Sequence, residues 1–125
     1  MAVEQITGAI GFKVAAADLS AKQFYSVKVD STGKIALTGA GELGLGILQN
    51  DPTAGLAANV AISGASKAVV GAAVAAGARL SSDANGKLIT ATAAKSVVAQ
   101  ALEAGAANGD IISVHILNAP YISAT

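Results

Sequence analysis

The stretch TGAGELGLG, residues 38 to 46, spaces Gly39, Gly41 and Gly44 as G-x-G-x-x-G, the pattern with which many enzymes hold a dinucleotide. That chemistry needs the glycines to end a strand and open a helix, whose N-terminal amides take the pyrophosphate. The residues that follow, ELGLGILQNDP, are poor helix material: a glycine costs about 1 kcal/mol relative to alanine in a helix interior, and Pro52 ends any helix. An acidic residue roughly 20 positions on should receive the ribose, yet no Asp or Glu occurs between Asp51 and Asp83. The run is read as a flexible turn between two short strands, and no cofactor is expected.

Other residues that could do chemistry are equally isolated. His115 is the only histidine, so a metal site would have to draw on carboxylates, and a nucleophile would have only this one base. In IISVHIL it shares a strand face with Ile111 and Ser113, opposite Ile112, Val114 and Ile116, which suits the polar side of a sheet or a subunit contact. A general base would also need a pocket and an orienting group. Glu4, Asp18, Asp30, Glu42, Asp51, Asp83, Glu103 and Asp110 are widely separated, and four of them, Asp30, Asp51, Asp83 and Asp110, sit in turn-like contexts. The segment DANG at 83 to 86 has the start of a calcium loop without its later ligands. A P-loop would need glycine where Lys28 and Ser81 stand, and Ser or Thr where Ile35 and Leu88 stand. No catalytic, cofactor-binding or metal-binding residue is expected.

The elements around these residues read as strands and turns. DSTGKI (30 to 35) and DANGKL (83 to 88) share Asp, Gly, Lys and a large aliphatic at matching positions, as in a type I turn followed by a residue of positive φ that closes a hairpin. Tyr25, Val27 and Val29 alternate with Ser26 and Lys28, and Ile35 and Leu37 with Ala36 and Thr38. A third turn, ANGD at 107 to 110, precedes the strand holding His115. Repeated turns bounding short alternating segments predict an all-β domain, a small β-barrel with little helix. The stretch 91 to 105, ATAAKSVVAQALEAG, fits a helix by its alanines and a strand by alternation in VVAQALE, and strand is preferred. No linker divides the chain, so residues 1–125 are read as one domain with an N-terminal arm over 1–8 and a C-terminal tail over 119–125.

Composition narrows the function. Of the 53% hydrophobic residues, 30 are alanine and 36 are larger. Alanine buries little area at roughly 25 cal/mol per Å², so the core is thinner than the percentage suggests and association with a partner would help stabilise it. The net charge is zero, with eight Lys and Arg scattered singly, which supplies no basic stripe for nucleic acid. Phe12, Phe24, Tyr25 and Tyr121 are the only aromatic residues, too few for base stacking. Without cysteine there are no disulfides or thiolates, which is compatible with a reducing cytosol. The start MAVEQITGAIGFK lacks the pattern of a secretory signal, and AVVGAAVAAGA is 11 residues long where a membrane helix needs about 20. A soluble protein made in a cytoplasm is expected.

Four segments carry a resemblance: G-I-L-Q-N-D-P-T-A-G at 46 to 55, V-A-I-S-G at 60 to 64, VAAGARLSSDANGK at 74 to 87 and AQALEAGAANGDIISVHI at 99 to 116. In this order they resemble the capsid decoration, or cement, proteins of tailed bacteriophages, over roughly residues 22 to 117; residues 1 to about 20 match least. The resemblance implies a compact β-barrel or tulip-like domain that binds the outside of an expanded capsid. There it would cement neighbouring major capsid protein subunits as a homotrimer, with a homodimer as the alternative. It transfers no catalytic residue. Phe12, Phe24, Tyr25, His115 and Tyr121 are taken as candidate subunit or capsid contacts. The competing readings are a small ligand-binding barrel or enzyme, and another virion accessory domain of the tail or baseplate.

Overall fold

The computed structural model describes residues 2–119, and these contain nine strands and no helix. In chain order they are β1 (Gln5–Val14), β2 (Ser26–Val29), β3 (Ile35–Leu37), β4 (Gly46–Leu48), β5 (Ala57–Val69), β6 (Arg79–Ser82), β7 (Leu88–Thr90), β8 (Val97–Ala101) and β9 (Ile111–Ala119). All pair antiparallel in one sheet of order β3-β2-β4-β5-β9-β8-β6-β7, with β1 beside β5. The sheet curls strongly into a half-barrel, as the all-β expectation requires. The ambiguous stretch 91 to 105 holds strand β8; Ala99 and Ala101 are buried against β9 and β6, a position where a small side chain lets the strands pack closely. Residues 5–8, which the sequence assigns to an arm, lie in β1 and pair with β5.

The two similar turns are built alike, atom for atom. The Asp30 carboxylate accepts from the Thr32 and Lys34 amides at 2.9 and 3.0 Å, and the Asp83 carboxylate from those of Asn85 and Lys87 at 2.8 and 3.0 Å. Gly33 at φ +81° and Gly86 at φ +83° take the left-handed residue that returns the chain, a conformation most side chains avoid. The third turn is reversed: Asp110 stands at its end and accepts from the Ala106 and Ala107 amides. Lys87 donates to Asn108 at 3.0 Å and ties the second turn to the third.

The likeness extends well beyond the turns. The pairs Val27↔Leu37 and Val27↔Gly46 of the first half recur as Leu80↔Thr90 and Leu80↔Ala99 of the second. Each residue is shifted by 53, the spacing of Asp30 and Asp83. Parallel bridges join Ala15 to Ile35 and, likewise, Val70 to Leu88. β1 to β4 and β5 to β8 are therefore two copies of one unit in tandem, and β5 closes the first as β9 closes the second. Each unit has its own core: Ala15, Leu19, Val27, Ile35, Leu48, Ala58 and Val60 in the first, with Val70, Val74, Leu80, Leu88, Ala101, Ile112 and Val114 at the matching places of the second.

β5 joins the halves. Ala61 pairs with Ala9 and Ile47, and Ala65 with Gln5 and His115, so β1 takes one edge of β5 while β4 and β9 share the other. A second seam runs between the hairpins, where the Ser26 amide donates to the Gly86 carbonyl at 2.8 Å and Ser26 and Thr38 hydroxyls bond to each other at 2.9 Å. This seam explains why simple alternation fails in β2: Ser26 is buried beneath the second hairpin, whereas Val29 is exposed.

Two outcomes test these assignments. A methyl group at Gly46 would overlap the Ala61 carbonyl oxygen and press on Val60, so Gly46→Ala is expected to cost about 1–3 kcal/mol and to lower the melting temperature; an unchanged value would remove the close-approach role. The Thr32 hydroxyl, then the Lys34 amide, holds the Asp30 carboxyl below its ordinary pKa. A depressed folded-state pKa contributes stability above the unfolded value of about 3.9, and loses it as the pH falls through the folded value. Asp30→Asn should therefore melt below the wild type at pH 7, and the two should converge under acid; a constant gap would show the carboxylate charge to be irrelevant.

Candidate contact surface

The glycines and several of the carboxylates singled out for chemistry are held by the fold. Gly39 donates its amide to the Glu42 carboxylate at 2.7 Å, Gly41 donates to the Ser82 carbonyl at 2.9 Å, and Gly46 enters strand β4 where a dinucleotide site would begin a helix. Glu42 also meets the Lys28 ammonium at 2.7 Å, and Lys28 first, then the Gly39 amide, keeps its carboxyl below the usual range. Glu103 accepts from the Ser113 amide at 2.7 Å, and that bond lowers its pKa likewise. Asp18 receives the Ser20 amide at 3.0 Å. Among the described residues no cluster of three or more His, Cys, Asp or Glu side chains is placed to hold a metal.

His115 lies exposed in the middle of β9, paired through its backbone with Ala65 and Gln100. The alternation expected there is present: Ile112, Val114 and Ile116 are buried and Ile111 and Leu117 exposed, while Ser113 is covered because its hydroxyl bonds to the backbone of Val3. Phe12 is the most open of the candidate contacts at 77% exposure, because the β1–β5 register slips between Ile10 and Lys13 and turns it outward. The Lys13 ammonium sits 5.5 Å from its ring. Phe24 is half-buried against the second core, with the Lys67 ammonium 5.8 Å from its ring, and its backbone at φ +71° bonds to Leu48 and Val69. Tyr25 is also half-buried, beneath Lys22 at 5.0 Å. Tyr121 lies outside the described residues. Among the described residues these candidates stand on β1 (Phe12), in the loop before β2 (Phe24 and Tyr25) and on β9 (His115).

What the sequence reading missed is a set of open aliphatic side chains. Val29 and Leu43, 45% and 59% exposed, line with Gly44 and Leu45 a shallow apolar pit of about 180 Å³. That is below the roughly 300–1,000 Å³ of small-molecule sites, and its lining carries no polar side chain. The only available signal was two leucines flanking Gly44 in a loop, since a lone exposed aliphatic is common on protein surfaces. Val3, Leu56, Leu102 and Ile111 are further open positions. Among the described residues no helix is long and apolar enough to cross a membrane.

The fold is similar to the N-terminal base of the head fiber protein gp8.5 of bacteriophage phi29, with a TM-score of 0.69 at 13% identity, over 92% of this chain and 99% of that one. No curated protein sequence matches the chain. Residues 4–116 match the family model described as phage cement protein, nearly the whole of the described sheet from the start of β1 into β9, and the chain belongs to that family.

Proposed function

We propose that this protein cements an expanded phage capsid from the outside, binding across neighbouring major capsid subunits as a homotrimer and so resisting the pressure of packaged DNA. Its membership of the phage cement family supports a structural protein of the virion that associates with the capsid; the carrying observation is that the match spans residues 4–116, the folded sheet itself. The phi29 protein of similar fold is a head fiber base.

The physics of the surface suits such work. Exposed Phe12, Val29, Leu43 and Leu56 are spread around the sheet, and each offers a modest apolar contact. Three linked subunits convert such contacts into slow release, because each further contact forms at high effective concentration. Preference for the expanded lattice stabilises that lattice by the difference in affinity between its two states.

The test uses expanded shells prepared without the protein. Stoichiometric co-sedimentation and a raised rupture temperature are the expected results, with little binding to unexpanded shells. Equal binding to both lattices, or binding that leaves the rupture temperature unchanged, would refute cementing while leaving virion attachment intact.

A further inference from the structure

The two tandem units share a backbone but differ in what covers them. Over the second unit lies the loop Thr38–Gly41 of the first. The Gly41 amide donates to the Ser82 carbonyl at 2.9 Å, the Ser96 amide to the Gly41 carbonyl at 3.1 Å, and the Ser82 hydroxyl to the Thr38 carbonyl at 3.0 Å. Ser82 and Ser96 are left 1% and 8% exposed. Their equivalents 53 residues earlier are Val29 and Leu43, the two walls of the open apolar pit. Among the described residues the Leu43 amide makes no backbone hydrogen bond, whereas the Ser96 amide has Gly41.

The covering loop has an equivalent too, and among the described residues that one covers nothing. Thr38–Gly41 corresponds to Ala91–Ala94. Both loops close the same turn, with Glu42 donating to Gly39 at 3.2 Å and Lys95 to Thr92 at 3.3 Å. Gly41 and Ala94 both stand at φ +67°, a strained setting for alanine that the loop keeps. Ser26 and Thr38, which face the second unit, are wholly buried, while their equivalents Arg79 and Ala91 are exposed and half-buried, and Thr92, Ala93 and Ala94 are exposed. The chain therefore carries a socket at one end of its repeat and the matching plug at the other.

We propose that the Ala91–Ala94 loop of one copy seats in the Val29–Leu43–Leu45 pit of a second copy, repeating between chains the contact that Thr38–Gly41 makes within one. By that equivalence the Ala94 amide donates to the Val29 carbonyl and the Leu43 amide to the Ala94 carbonyl. The methyl groups of Ala93 and Ala94 meet an apolar lining of about 180 Å³, a match in size and polarity. Residues 53 apart on one chain are not the same patch, so the contact runs head to tail, and head-to-tail contacts close into rings or grow into filaments. The inference rests on the self-association in the proposed function and names the surface responsible.

The chain has no cysteine, which makes the test direct. Leu43→Cys and Ala93→Cys change exposed side chains and should fold as the wild type, checked by thermal unfolding. A short bismaleimide should cross-link the mixture of the two single variants to a covalent dimer, and the double variant to a trimer, while neither single variant alone links. Leu43→Arg should convert the wild-type trimer to a monomer by light scattering. A trimer that survives Leu43→Arg, or links within one single variant, overturns the head-to-tail contact and leaves self-association standing. A wild-type monomer at all concentrations overturns both.

Discussion

From Ala57 to Val69, β5 lies between strands that belong to different parts of the chain: β1 on one edge, β4 and then β9 on the other. The rest of the architecture depends on that double use. A half-barrel this rich in alanine buries little apolar area per residue, and hydrophobic burial scales with area. Backbone pairing around β5 supplies the order that side-chain bulk does not, and it brings two small cores, each headed by a valine or leucine in the same place, against one common ladder.

The exterior follows from the same arrangement. Acidic side chains such as Asp30 and Asp83 are drawn into turns by backbone amides, and Gly46 stands where strands nearly touch. Among the described residues, large apolar side chains such as Phe12, Leu43 and Leu56 are left exposed around the sheet. The family to which the chain belongs makes it a structural part of a phage particle.

The fold class was legible because turn chemistry is local. Asp30 with Gly33 and Asp83 with Gly86 announce hairpins from residue types alone, and the strand face of Ile112, Val114 and Ile116 follows from alternation. The tandem repeat was visible only at those two turns: Ile35 with Leu88 is a conservative match, but Ser26 with Arg79 and Leu43 with Ser96 are not. These divergent positions are the ones where the two units have different neighbours, so sequence likeness fades where surroundings differ. The burial of Ser26 was hidden for the same reason, since a hydroxyl pair bridging residues 12 apart under a remote hairpin leaves no periodic trace. The open Leu43 was equally silent, because exposure is a property of the assembled sheet.

Sharing one strand between two units also governs how the molecule comes apart. In most tandem-repeat proteins a terminal unit can fray while its neighbour persists, since each contributes its own stability plus an interface. Here neither unit has a complete set of strands without β5, and β5 is held by partners up to sixty residues away on one side and fifty on the other. Release of either partner leaves the other's ladder unsupported. The two halves are thereby bound to a common fate, and neither is a weak half that yields first.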